Sequence, residues 1–272
     1  MRTCTTASLR CKLAAVLVLL AIWQLLSMWV GSPVIMPSPR ATVAAMLGLV
    51  QTGTFWQSVA TSFFRIALGF VLAVAAGILL AALAECSMWL GELLKLTVQI
   101  IKSVPVASFV ILLLFWVDSS RLSTCIAFLI VLPVIFTNVR SGIRGADPKL
   151  LEMAQVFRLS AWKKIRYIYV PAALPAFAAA CSVGLGFCWK AGIAAEVIGL
   201  PAHSVGSELY NAKLYLMTPE LFAWTIVIVA ISAVFEKVML HLIQKVCGRV
   251  CRGSSGQGTS ERKSYADCDG AH

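Results

Sequence analysis

The sequence predicts an all-α fold, a polytopic bundle of about six membrane-spanning helices. Three observations carry that expectation: an apolar composition, a series of long apolar runs, and a lopsided distribution of basic residues between those runs. Of the 272 residues, 60% are hydrophobic and only 13% charged, and the mean hydropathy is +0.86. Soluble domains hold roughly 45–50% apolar residues and need a surface that is about a quarter to a third charged. This chain has too few charges to make such a surface, so lipid must be its solvent.

A helix crossing about 30 Å of hydrocarbon satisfies its own backbone and needs about 20 mainly apolar residues. Runs of that kind occupy residues 13–30, 63–84, 96–117, 122–139, 170–195 and 221–243. The first follows Arg2, Arg10 and Lys12. Its length and the lack of a small-residue cleavage site mark it as a retained anchor rather than a signal peptide. Pro33, Pro37 and Pro39 then make a turn, and the weakly amphipathic stretch 41–50 reads as an interfacial helix. Pro105 lies inside the third run. Residues 1–12 form a cytoplasmic N-terminus and 13–245 the membrane domain, with a cytoplasmic loop over 140–168. Residues 246–272, rich in Gly and Ser near their middle, read as a disordered cytoplasmic tail.

Orientation follows from Lys and Arg in short loops. Between 140 and 166 stand seven basic residues against Asp147 and Glu152, a net charge of +5. Between 196 and 220 only Lys213 opposes Glu196, Glu208 and Glu220, a net charge of −2. The first loop is therefore inside and the second outside, which puts both termini in the cytoplasm. The overall charge of +11 is explained by this topology. It forms no basic stripe with interleaved aromatics, so nucleic acid is not an expected partner. The nine cysteines are odd in number and scattered, unlike a disulfide framework. His203, His241 and His272 are far apart, and no metal site is expected.

The most informative segment is the inner loop. Asp147 is a good helix N-cap and Pro148 suits the first helical position. Leu150, Leu151, Ala154 and Phe157 then form an apolar face at helical spacing. Ser160 offers a second cap, and Pro171 and Pro175 fall in the opening turns of the next span.

Glu152, Ala154, Ile168 and Pro171 also stand at the spacing of a known signature: Glu-Ala-Ala, three residues, Gly, nine residues, Ile, one residue, Leu-Pro. The loop thereby resembles the permease subunits of binding-protein-dependent ABC importers, and the span pattern over 13–245 is similar too. Met153 in place of the first Ala resembles the nitrate, sulfonate and taurine branch. Arg158 at the Gly position departs from the pattern. Glycine there would let the chain leave the helix in a left-handed conformation, which costs another residue about 1–2 kcal/mol. Either the turn is built differently or the strain is tolerated.

The resemblance implies a type I ABC importer permease fold acting as a homodimer in the bacterial plasma membrane. It implies that Asp147, Leu150, Leu151, Glu152, Ala154, Phe157, Arg158 and Pro171 belong to a loop coupled to separate ATP-binding cassette subunits. An extracellular or periplasmic solute-binding protein would deliver a small solute, which the branch resemblance makes a nitrate-, sulfonate- or taurine-like anion. The chain shows no GxxxxGK[ST] loop to cradle ATP phosphates, so ATP is expected on the partner, with no cofactor and no catalytic residue here.

Lys190 lies inside the fifth run, where an unpaired Lys is expensive. It reads either as a pathway cation, with Trp189 and Glu196 beside it, or as a lysine that snorkels outward or pairs with Glu196. Lys102 and Arg65 read as snorkelling residues. The alternative function is a secondary transporter or channel driven by an ion gradient. It would call for intramembrane acids to bind the coupling ion, and none lies deep in a run.

Overall fold

A computed structural model describes residues 3–255. In chain order the helices are α1 (Thr3–Val30), α2 (Pro39–Val50), α3 (Gly53–Cys86), α4 (Met88–Ser103), α5 (Val106–Leu113), α6 (Ser119–Arg144), α7 (Pro148–Val156), α8 (Ala161–Lys164), α9 (Val170–Gly199), α10 (Val205–Leu214) and α11 (Thr218–Ser255). A π-helical stretch, Ile165–Tyr169, joins α8 to α9. No strand occurs among the described residues.

Four helical segments are long and apolar enough to cross a membrane: Gly53–Cys86, Ser119–Arg144, Ala161–Gly199 and Thr218–His241. They contain the second, fourth and fifth expected spans and all but the last two residues of the sixth. The first expected span appears as the shorter apolar helix Ala14–Val30. The third is corrected. Residues 96–117 are not one continuous helix, because α4 and α5 meet at 98°. Pro105 has no N–H and biases the preceding residue away from helical torsions, and Val104 indeed sits at φ −84°, ψ 129°.

The core is built where α3, α6, α9 and α11 meet. Ile66, Phe70, Ile135, Phe136, Leu185, Trp189 and Phe235 are all buried there. Small residues let the backbones approach. A Cβ on Gly77 would lie 2.8 Å from Ile135, and one on Gly142 would lie 2.7 Å from the Cα of Ala173. Trp224 is 3% exposed and stacks on Phe55 at 5.1 Å. Trp29, Trp56, Trp89 and Trp116 are exposed. The expected interfacial stretch is α2, capped by Ser38, whose Oγ accepts from the N–H of Ala41 at 3.3 Å. The expected tail is corrected at its start, since α11 continues to Ser255. Residues 256–272 lie outside the described residues.

Candidate functional site: the inner loop and the charged spans

The inner loop folds as the cap signals require. The carboxylate of Asp147 accepts from the N–H of Lys149 at 2.9 Å, and Pro148 opens α7. The far end of α7 answers the question raised by Arg158. That residue is left-handed, with φ +48°. The N–H of Leu159 reaches the carbonyl of Ala154 at 2.9 Å, and the N–H of Arg158 reaches that of Gln155 at 3.0 Å. This paired 6→1 and 5→2 bonding is a Schellman cap. The turn is the one a glycine would make, and the arginine tolerates the strain.

The single apolar face expected on α7 divides in two. Ala154 is fully buried, with Ala146 and Ile168, against Leu151, Leu159, Tyr169 and Ala172. It packs inside the chain, holding α7 to the junction of α6 and α9, and is not part of an outward contact surface. Leu150, Met153, Val156 and Phe157 form the exposed edge, at 44, 45, 79 and 71%. Met153 and Val156 were missed in the sequence because the helix was assumed to have one apolar side. Glu152 is exposed. Pro171 sits in the first turn of α9, following the π-helical stretch.

Two charged clusters hold the ends of the spans. At the end nearest α7, Oε1 of Glu85 is 2.8 Å from Nε of Arg140 and 2.8 Å from Nε of Arg144. Nη1 of Arg140 donates to the carbonyl of Gly91 at 2.9 Å. A side chain on Gly91 would collide, since its Cβ would lie 2.6 Å from Nη2 of Arg140. Arg140 thus fastens the α3–α4 elbow to α6. A faint signal for this lies in the spacing, since Glu85 and Arg140 each directly follow an apolar run, 63–84 and 122–139.

At the other end, Glu196 is fully buried. Its Oε2 accepts from Oγ of Ser62 at 2.7 Å and from the N–H of Gly206 at 3.2 Å. Ser62 in turn accepts from the N–H of Val205 at 2.9 Å. The carboxylate and the serine therefore anchor the first turn of α10 to α9 and α3. Trp189 is 1% exposed, and its Nε1 donates to the carbonyl of Ile228 at 3.2 Å. Trp189 and Glu196 are interior packing and capping groups, which corrects their placement beside a solute path. Lys190 alone of that trio is exposed, on the α9 stripe that also shows Val183, Phe187, Ala194 and Ile198. No ion pair joins it to Glu196 among the described contacts.

The family model described as the inner membrane component of binding-protein-dependent transport systems matches residues 73–247. The chain belongs to this family. It is a multi-pass ABC transporter permease of the importer type, in the nitrate, sulfonate and taurine branch. The aliphatic sulfonates transport permease protein SsuC of Escherichia coli (strain K12) is 30% identical over 232 residues, covering 84% of this chain and 87% of that one. SsuC of Bacillus subtilis (strain 168) is 28% identical over 233 residues, covering 84% and 83%. The taurine transport system permease TauC of Escherichia coli is 24% identical over 235 residues, covering 84% and 85%.

The permease fold itself is seen in solved structures. A chain of an amino acid ABC transporter superposes with a TM-score of 0.59 at 18% identity, over 75% of this chain and 98% of that one. A chain of a bacterial transporter that imports the acidic polysaccharide alginate gives 0.58 at 17%, over 92% and 99%. The loop carrying α7, the Glu85–Arg140–Arg144 cluster and Glu196 with Gly206 all fall within the matched residues 73–247.

Proposed function

We propose that this permease forms the translocation pathway for a small oxyanion of the nitrate, taurine or aliphatic sulfonate kind, and that separate ATP-binding cassette subunits drive it through α7. Two copies pair about the pathway, and an external binding protein delivers the solute. The termini face the cytoplasm, as the charge asymmetry of the loops implies. The chemistry of this chain is binding and conformational switching, and ATP is handled by the partner.

The observation that supports the reading most directly is the exposed edge of α7. Leu150, Met153, Val156 and Phe157 lie in a loop of net charge +5, where they have no lipid to enter. An amphipathic helix of this kind buries its apolar edge in a protein groove. The inward side, through Ala154, is packed against α6 and α9. A push on α7 therefore moves two spans rather than a loose loop, which suits rigid-body switching between inward- and outward-facing states.

The test is reconstitution of the permease with its ATPase. Val156→Asp puts an unpaired charge in the docking edge, a change that commonly costs a few kcal/mol or about a hundredfold in affinity. We expect ATPase co-purification and ATP-driven uptake to fall together, with Gln155→Asp behaving as wild type. Uptake driven by an ion gradient without ATP, or an unaffected Val156→Asp variant, would overturn the assignment.

A further inference from the structure

The break between α4 and α5 occurs at membrane depth and is open. Gly91 is bonded to Arg140 and, eleven residues on, Nζ of Lys102 donates to Oγ1 of Thr137 at 3.3 Å. Those eleven residues advance about 16 Å along α4, whereas Arg140 to Thr137 spans only about 4.5 Å of α6. Helix α4 therefore crosses α6 steeply rather than running beside it. On the far side of the break, Val106 and Phe109 join Val110 in a cluster with Leu122 and Ile126 of α6, against which Ile130 also packs. The break thus lies level with the stretch of α6 between Ile126 and Thr137, well inside a helix that runs from Ser119 to Arg144.

Lys102, Ser103, Pro105, Ala107 and Ser108 are all exposed there. Non-helical backbone at this depth is tolerated only where it is covered by protein or lines water. A lysine and two serines around it make hydrocarbon a still poorer neighbour. Beside the break lies an open groove of about 370 Å³ lined by Leu96, Gln99, Ile100, Ser103 and Val104.

We propose that this break is a solute station in the inner half of the pathway, taking the oxyanion head of the transported solute on Lys102 with Ser108; the Ser103 hydroxyl donates to the carbonyl of Gln99 at 2.9 Å. The inference rests on the importer reading above and assigns to it a second site. Thr137 donates to the carbonyl of Pro133 at 2.7 Å, so its oxygen is free to accept from Lys102. That fixes one N–H of the ammonium and leaves the other two for an anion. Gln99, in the groove, can donate as well.

The station is distinct from Lys190. Helices α6 and α9 run antiparallel, with Gly142 against Ala173 and Val131 against Gly184. That register puts Lys190 near the level of Ile126, about 16 Å above Thr137 along α6. Two cations at two depths can pass an anion without either holding it across the whole membrane. A lipid phosphate offers Lys102 the same chemistry, and the experiment separates the two sources.

The test uses the full permease–ATPase complex in membranes carrying Ser108→Cys, with labelling of that peptide read by mass spectrometry so that the native cysteines remain. An anionic and a cationic methanethiosulfonate are compared, each normalised to an exposed control, Ala202→Cys. We expect Ser108→Cys to react from water, with the anionic reagent favoured about tenfold by the nearby ammonium. Lys102→Gln should erase the preference and Lys102→Arg keep it. Nitrate, taurine or ethanesulfonate should slow the reaction. An unreactive cysteine, a preference indifferent to Lys102→Gln, or protection by none of the three anions overturns the station. The last outcome leaves Lys102 to lipid phosphate. Labelling needs no ATP turnover, so its failure is separate from a failure of ATP-driven uptake.

Discussion

Arg158 and Ala154 show how much a single residue of the inner loop depends on its backbone. Arg158 holds a left-handed position at φ +48° that glycine would occupy with less strain. We expect Arg158→Gly to stabilise the folded loop by about 1 kcal/mol, read as a small upward shift in the thermal denaturation of the detergent-solubilised permease. A downward shift would mean that the guanidinium makes a contact worth more than the strain. Ala154 has no room for a charge, being fully buried against Ala146 and Ile168. Ala154→Asp should therefore cost several kcal/mol and lower the yield of folded permease even when no ATPase is present. Gln155→Asp, on an exposed position, should not. Equal yields for the two variants would show that α7 is not packed on its own chain.

At the scale of elements, α10 is held by groups borrowed from two spans. Glu196 accepts from Ser62 and from the N–H of Gly206, and Ser62 accepts from the N–H of Val205. Gln can accept the same bonds through its amide oxygen, whereas Ala leaves a buried hydroxyl and an amide unpaired. We expect Glu196→Gln to keep α10 resistant to protease added to sealed right-side-out vesicles, and Glu196→Ala to lose that resistance. Gly206→Ala should lose it also, since a Cβ there would lie 2.7 Å from the N of Val197. Resistance unchanged in all three would show that other contacts hold the helix. This lock was not legible in the sequence. Ser62 and Glu196 are 134 residues apart, and a lone acid after an apolar run looks like a loop charge until the fold brings Ser62 to it. The helices themselves were legible, because apolar length is a local property. The cap at Asp147 was legible for the same reason, whereas the turn at Arg158 was marked only by the resemblance, which left its construction open. The third span misled because composition does not register direction: Pro105 interrupts a run that stays apolar on both sides.

At the scale of the whole molecule, charge separates the surface that meets lipid from the surface that meets water or a second copy. Most exposed hydrophobic residues, such as those of α1 and the outer face of α3, are at ease in hydrocarbon. The α9 stripe differs, because Lys190 interrupts Val183, Phe187, Ala194 and Ile198. An ammonium at this depth, with no ion pair among the described contacts, is expensive against lipid tails, by about 3 kcal/mol or more. It is far less so beside water or a facing protomer. If the stripe borders the pathway, the charge attracts the oxyanion and its removal weakens capture without touching α7. We expect Lys190→Gln to raise the apparent KM of ATP-driven oxyanion uptake by about five- to tenfold, with ATPase co-purification unchanged. Lys190→Arg should stay near wild type. The opposite placement makes the opposite prediction: if the stripe faces lipid, Lys190→Leu removes a penalty, so the permease becomes more thermally stable with uptake intact. Measuring KM and thermal stability on the same Lys190→Gln and Lys190→Leu preparations decides between the two. A raised KM in both variants without a gain in stability places the stripe on the pathway, and a gain in stability with unchanged KM removes Lys190 from it.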